Sequence, residues 1–78
     1  MTSETIEIAN AYRKAGHIIS DEECETVFEL CMRKMAVAKV QDTDRYMPLV
    51  FADELKNYLI GRFINAVARV YMKTAKEG

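Results

Sequence analysis

Three side chains in the first half of the sequence could ligate a transition metal. His17, Cys24 and Cys31 lie within 15 positions of one another, and imidazole and thiolate groups are the ligands that zinc prefers. The two cysteines are seven residues apart, which is about 10 Å along a helix, whereas a shared zinc needs both sulfurs at about 2.3 Å. The same separation excludes a disulfide between them. We therefore expect two core cysteines, a histidine at a helix end, and no metal or cofactor.

The other polar residues give little support for catalysis. Acid–base and nucleophilic mechanisms need a base held against a nucleophile, or convergent carboxylates, and the chain has one histidine and no glycine-rich loop. A calcium loop beginning at Asp42 would need glycine at its sixth place and glutamate at its twelfth. Met47 and Asp53 occupy those places. The sequence predicts a protein that is not an enzyme.

Charge is distributed unevenly along this chain of net charge −1. Residues 1–31 hold seven acids and two bases, net −5, whereas residues 56–78 hold five bases and one acid, net +4. On a helical wheel, four of these bases share one side and form a candidate basic surface: Arg62, Arg69, Lys73 and Lys76. The surface could follow a phosphate backbone, but the helix dipole also favours cations there, and no aromatic residue is interleaved for base stacking. A solvated face is the favoured interpretation.

The elements that would position these side chains are three helices. The first is predicted over residues 3–15, ending at Gly16. The second begins with a capping box formed by Ser20 and Glu23, followed by an apolar stripe at helical spacing. The third is predicted over residues 49–75, with Pro48 in its first turn, and Gly61 inside it suggests a close helix crossing or a kink.

The third predicted helix carries more apolar surface than two shorter helices can cover. Its apolar residues span roughly 180° of the wheel, or about 220° with the flanking positions included. Such a broad arc suggests burial on two sides, most simply against a second copy of the chain. The candidate self-association surface consists of Leu49, Ile60, Ile64, Val67 and Tyr71.

Length and composition favour the same interpretation. A single core in 78 residues is only marginally sufficient to offset chain entropy, and two cysteines with one histidine are too few for a stapled or metal-held scaffold. The acidic first residues do not resemble a secretory signal. The longest uncharged stretch, residues 46–52, is far shorter than the roughly 18 residues of a membrane span. We expect a cytoplasmic protein with no membrane association.

Together these patterns predict one domain over residues 1–78, all-α, with a compact three-helix fold, a long apolar C-terminal helix and dimerisation. The predicted function is that of a small non-enzymatic protein-interaction module, self-associating and acting as an accessory, regulatory or inhibitory factor. Another protein is the expected partner besides the second copy. The alternative is a nucleic-acid-binding regulator that uses the basic surface.

Overall fold

A computed structural model describes the backbone of residues 1–77 and the side chains of residues 1–73. Over these residues the chain is all-helical and has no strand. The three helices are α1 (Ser3–Lys14), α2 (Asp21–Val37) and α3 (Thr43–Glu77). The predicted all-α class and the number of helices are confirmed. Both connections between helices are short, as is usual for helices that pack side by side.

Side-chain caps fix where the first two helices begin. The hydroxyl of Thr2 accepts a hydrogen bond from the backbone amide of Thr5 at 3.3 Å. At α2, the Glu23 amide donates to the Ser20 hydroxyl, and the Ser20 amide donates to the Glu23 carboxylate, both at 3.0 Å. Each bond satisfies an amide that has no partner within the helix. The predicted capping box is confirmed.

The same two helices end in left-handed residues. Gly16 follows α1 with φ of 103°, and Lys39 follows α2 with φ of 57°. Behind them, the amide of His17 donates to the carbonyl of Tyr12, and the amide of Val40 donates to that of Met35. These are the six-to-one bonds of the Schellman motif, in which glycine usually occupies the left-handed position. Only α1 has glycine there.

Helix α3 begins six residues earlier than the sequence predicted. It starts at Thr43, so Pro48 is its sixth residue rather than a residue of its first turn. Proline at that place removes one hydrogen bond, from residue 48 to the carbonyl of Asp44. The burial of Met47, which is 3% exposed, offsets this loss by extending the apolar stripe of α3 by one further turn. Packing therefore sets the start of α3.

The core lies where α1 and α2 pack against the first half of α3. Its side chains come from all three helices and from the α1–α2 connection: Ala9, Ile19, Cys24, Val27, Cys31, Met35, Met47, Phe51, Leu55 and Leu59. Helix α2 runs antiparallel to α3, since Glu23 near its start contacts Arg62 and Lys34 near its end contacts Glu54.

The last buried core residue of α3 is Leu59, and the helix continues for 18 residues beyond it. We refer to residues 1–61 as the body and to residues 62–77 as the tail. The tail gives the chain its long axis, with extents of 54 × 29 × 17 Å. The compact shape expected from the sequence does not extend to this segment. Within the described part of the chain, no helix is both long enough and apolar enough to span a membrane.

Candidate interaction surface

Large apolar side chains are exposed where the tail leaves the body. We call this surface the tail face; its members are between 48% and 74% exposed: Ile60, Phe63, Ile64, Val67 and Tyr71. Soluble monomers rarely expose apolar side chains in one continuous group, and such groups usually mark interaction sites. Four of the five were predicted as self-association residues. The structure brings these four together on one stretch of helix.

Leu49, the fifth predicted residue, lies apart from the tail face. It points to the same side of α3 and is 71% exposed, but it precedes Ile60 by 11 residues, which is about 16 Å along the helix axis. Lys56 lies between them on that side and is also exposed. The structure therefore places Leu49 on the body, separated from the other four by a charged side chain.

The broad apolar arc of α3 consists of two stripes that follow one another along the helix. In the body, Met47, Phe51, Leu55 and Leu59 recur every four residues and are all buried. The tail face is centred about 150° around the helix from this core stripe. The arc predicted from the sequence is thus the sum of a core face and a second, exposed face. This explains why two short helices cover only part of it.

Gly61 stands where one stripe gives way to the other. A Cβ atom added to it would meet no atom within 4 Å, so the close crossing that the sequence suggested is absent between the described helices of one chain. Helix α3 continues through this position without interruption. The small residue leaves the backbone of α3 accessible beside the tail face.

A groove extends the tail face toward α1. Tyr12 and His17 form one wall, and Leu59, Phe63 and Ala66 form the other, around a volume of about 560 Å³. The rings of Tyr12 and His17 meet edge to face, with centroids 5.6 Å apart. Phe63 and Ala66 also border the next depression along the tail, which reaches Tyr71. One apolar surface therefore runs from the end of α1 to Tyr71.

Arg62 is tied to the body. Its guanidinium donates to the Glu23 carboxylate at 2.8 Å and to the carbonyl of Ile18 at 2.7 Å. Tyr58 donates to the same carboxylate at 2.5 Å. These bonds close the end of the body where α1 ends and α2 begins. Arg62 was predicted as part of a basic surface, but its guanidinium is engaged by Glu23 and Ile18 of the same chain.

The carboxylate of Glu23 is the most perturbed acid of this network. The hydrogen bond from Tyr58, then that from the backbone amide of Ser20, lower the pKa of Glu23 from 4.5 to about 2, and Arg62 adds to the effect. The same hydrogen bond raises the pKa of Tyr58, because it stabilises the protonated phenol. The network depends on the ionised carboxylate of Glu23, and it ties the α1–α2 connection to α3.

The remaining cations of the predicted basic surface lie on the tail. Arg69 and Lys73 are exposed and border a shallow depression together with Asn65, Ala68 and Met72. Neither cation has an ion pair among the described side chains. The side chain of Lys76, the fourth predicted member, lies outside the described residues. On the wheel these positions continue the core stripe of the body, so the basic side starts beyond the end of α1 and the start of α2.

The residues considered as metal ligands do not form a site. Cys24 and Cys31 are both free and buried, and burial raises the pKa of the Cys31 thiol to about 11 and that of Cys24 in the same direction. His17 stands against Tyr12 instead. Among the described residues, no group of three His, Cys, Asp or Glu side chains could hold a metal ion. The cysteines pack as small apolar side chains.

Two features of this surface were not evident from the sequence. The groove brings Tyr12 and His17 next to Phe63, more than 40 positions away. Likewise, the contact between Glu23 and Arg62 joins residues 39 positions apart. Both depend on how α1 and α2 fold back onto α3, and no local pattern predicts this. Comparison of the chain with protein-family models, with curated proteins and with solved structures gives no match.

Proposed function

We propose that this protein is a small helical interaction module that self-associates through the tail face and acts by binding rather than by catalysis. The observation that supports this is the exposed group of large apolar side chains on a helix that continues past its own core. Complete burial of one such side chain contributes about 1.5–3 kcal/mol. Covering the tail face with a second copy would remove most of this apolar surface from water.

The wider role that we propose is that of an accessory, regulatory or inhibitory factor whose other partner is a protein. The acidic exposed side chains of α1 and α2 would suit a basic partner surface. Two free, buried cysteines suit a reducing compartment, and we propose a cytoplasmic location.

Sedimentation of the purified chain tests self-association. We expect a dimer or larger species at micromolar concentration, with a thermal midpoint that rises with protein concentration, because only the folded state associates. Val67→Asp places a charge in the tail face without touching the core, and we expect it to shift the protein to monomer while helicity is retained. A monomeric wild-type chain at high concentration would contradict the proposal.

Met32→Asp provides a matched control. Met32 lies on the outer side of α2 and is 49% exposed, close to the 51% of Val67. The two variants add the same charge at equally exposed apolar positions, so they differ mainly in which surface they change. We expect Met32→Asp to remain associated. Loss of association in this variant, and not in Val67→Asp, would move the interface to α2 and refute the role of the tail face.

A second candidate function is nucleic-acid binding through the exposed cations of the tail. Arg69 and Lys73 border one depression and have no ion pair among the described side chains, which favours this candidate. Against it, Arg62 is engaged by Glu23, and no aromatic side chain stands between the cations for stacking. It ranks below self-association for these reasons.

A further inference from the structure

We infer that two copies pair with their α3 helices antiparallel, so that each tail lies in the groove between α1 and α3 of the other copy. This inference rests on the self-association proposed above and specifies its geometry. The partner is a second copy of this chain. Its tail is the occupant of the groove lined by Tyr12, His17 and Phe63.

The lengths of the two surfaces match. From Lys56, at one end of the groove, to Tyr71 at the far end of the tail face is 15 residues, or about 23 Å of helix. The tail, residues 62–77, is about 24 Å long. Residues 60–75 of one copy, laid antiparallel on this surface, cover it from end to end, and the two-fold symmetry of a dimer places the other copy in the same way.

The spacing of the tail face also suits such a pair. Ile60, Ile64, Val67 and Tyr71 follow one another at intervals of four, three and four residues, which is the alternation of the two core positions in a helix pair. In an antiparallel pair centred between residues 65 and 66, Ile60 lies opposite the second copy's residue 71, and Ile64 opposite its residue 67. All four side chains are then covered.

The covered area favours the antiparallel arrangement over a parallel one. In a parallel pair the tails would contact mainly each other, beyond the end of both bodies. In the antiparallel pair each tail contacts the partner's α1 as well as its α3, because the groove is open beside Leu59 and Phe63. A stable interface buries about 800 Å² per partner. The antiparallel pair buries both grooves as well as the contact between the two helices, so it buries more surface than the parallel pair and comes closer to about 800 Å² per partner.

The net charge of the N-terminal residues favours this arrangement at long range. Residues 62–73 contain Arg62, Arg69 and Lys73 and no acid, whereas residues 1–31 carry a net charge of −5. An antiparallel pair places each basic tail beside the partner's body, whose first 31 residues are acidic, and keeps the two tail ends apart. The groove lining itself contains Lys56 and Arg62 and no acid. The basic side of the tail lies away from the tail face, so this contribution is a long-range one that salt reduces.

Crosslinking of two single-cysteine additions tests the arrangement. Ile60→Cys and Tyr71→Cys are mixed, oxidised under native conditions and weighed by mass spectrometry; the native thiols are buried, and the wild-type chain serves as the control for them. We expect disulfides between one variant and the other, in excess of either variant with itself. Disulfides of each variant with itself would indicate a parallel pair and overturn the inference.

The outcome for this inference can be separated from the outcome for self-association. A wild-type chain that sediments as a monomer contradicts both. A chain that dimerises, but gives no excess of mixed disulfides, keeps the self-association and refutes the antiparallel geometry.

A groove variant gives a second, independent measurement. We expect Tyr12→Ala to raise the dimer dissociation constant by about tenfold or more, since truncating a buried interface aromatic commonly has this effect. Tyr46→Ala is the control, because Tyr46 is exposed at the far end of the body. Leu49→Ser should also leave association unchanged, because Leu49 lies on the body and lines neither the groove nor the depression beside Tyr71. Equal dimer affinity for wild type and Tyr12→Ala, with both folded, would contradict the groove contact.

Discussion

The phenol of Tyr58 donates a hydrogen bond to Oε2 of Glu23 at 2.5 Å, which joins the middle of α3 to the first turn of α2. Glu23 is at the same time the third residue of α2, where it completes the capping box with Ser20, and the ion-pair partner of Arg62. One carboxylate thus fixes the start of α2, the end of the core and the α1–α2 connection. We therefore expect the free energy of unfolding to depend on whether the Glu23 carboxylate is protonated.

The first prediction concerns pH. The pKa of Glu23 is lowered from 4.5 to about 2 in the folded state, so its contribution is complete above pH 4.5 and is lost as pH falls from there toward 2. We expect Glu23→Gln to lower the free energy of unfolding at pH 7 by on the order of 1–2 kcal/mol, allowing for partial exposure of the side chain. The difference from wild type should shrink as the pH approaches 2.

Chemical denaturation at a series of pH values measures this difference. Glu25→Gln, a neighbouring exposed glutamate of α2, is the matched control and should show a much smaller change at neutral pH. A wild-type and Glu23→Gln difference that is constant from pH 7 to pH 2.5 would mean that the charge of Glu23 does not stabilise the fold.

The second prediction concerns the residue that ends α2. Lys39 has φ of 57° and is exposed, in a position that glycine adopts without steric cost. We expect Lys39→Gly to increase the free energy of unfolding by about 0.5–1 kcal/mol, because a left-handed side chain costs roughly 1–2 kcal/mol and the greater freedom of glycine in the unfolded chain offsets part of that gain. Urea denaturation at neutral pH measures the change.

Lys39→Ala separates this conformational effect from the loss of charge near the helix end. Alanine removes the same charge but keeps a Cβ atom, so we expect it to give no stabilisation. If both variants were equally stabilised, charge rather than backbone conformation would be the cause.

The third prediction concerns the basic side of the tail. We expect no salt-resistant binding of duplex or single-stranded nucleic acid, because Arg62 is held by Glu23. Of the described cations of the predicted basic surface, only Arg69 and Lys73 are exposed without an ion pair. Two phosphate contacts on duplex DNA would give a salt slope of only about −2 on logarithmic axes. Titration of labelled strands at two salt concentrations measures this slope.

The double variant Arg69→Glu, Lys73→Glu is the informative comparison, since it changes the exposed cations and leaves the Glu23 contact intact. Sub-micromolar binding by wild type that this variant abolishes would place nucleic-acid binding ahead of self-association as the function.

Several features were determined by the sequence alone, because they depend on residues within one or two turns of each other. The capping box of Ser20 and Glu23 is a local exchange of hydrogen bonds, and the end of α1 at Gly16 follows from a local backbone preference. Helical spacing likewise showed that Ile60, Ile64 and Val67 share one side of the third helix. Local patterns thus predicted three helices and where two of them begin.

Tertiary packing decided the rest. Helix α3 begins at Thr43 because burial of Met47 extends the helix through Pro48, against the local preference of proline. The apolar arc divides into a buried and an exposed stripe because α1 ends and α2 begins near Leu59. Arg62 contacts Glu23 because α2 runs antiparallel to α3. Each of these outcomes depends on which distant surface lies opposite a side chain, and a linear sequence does not specify that until the helices are packed.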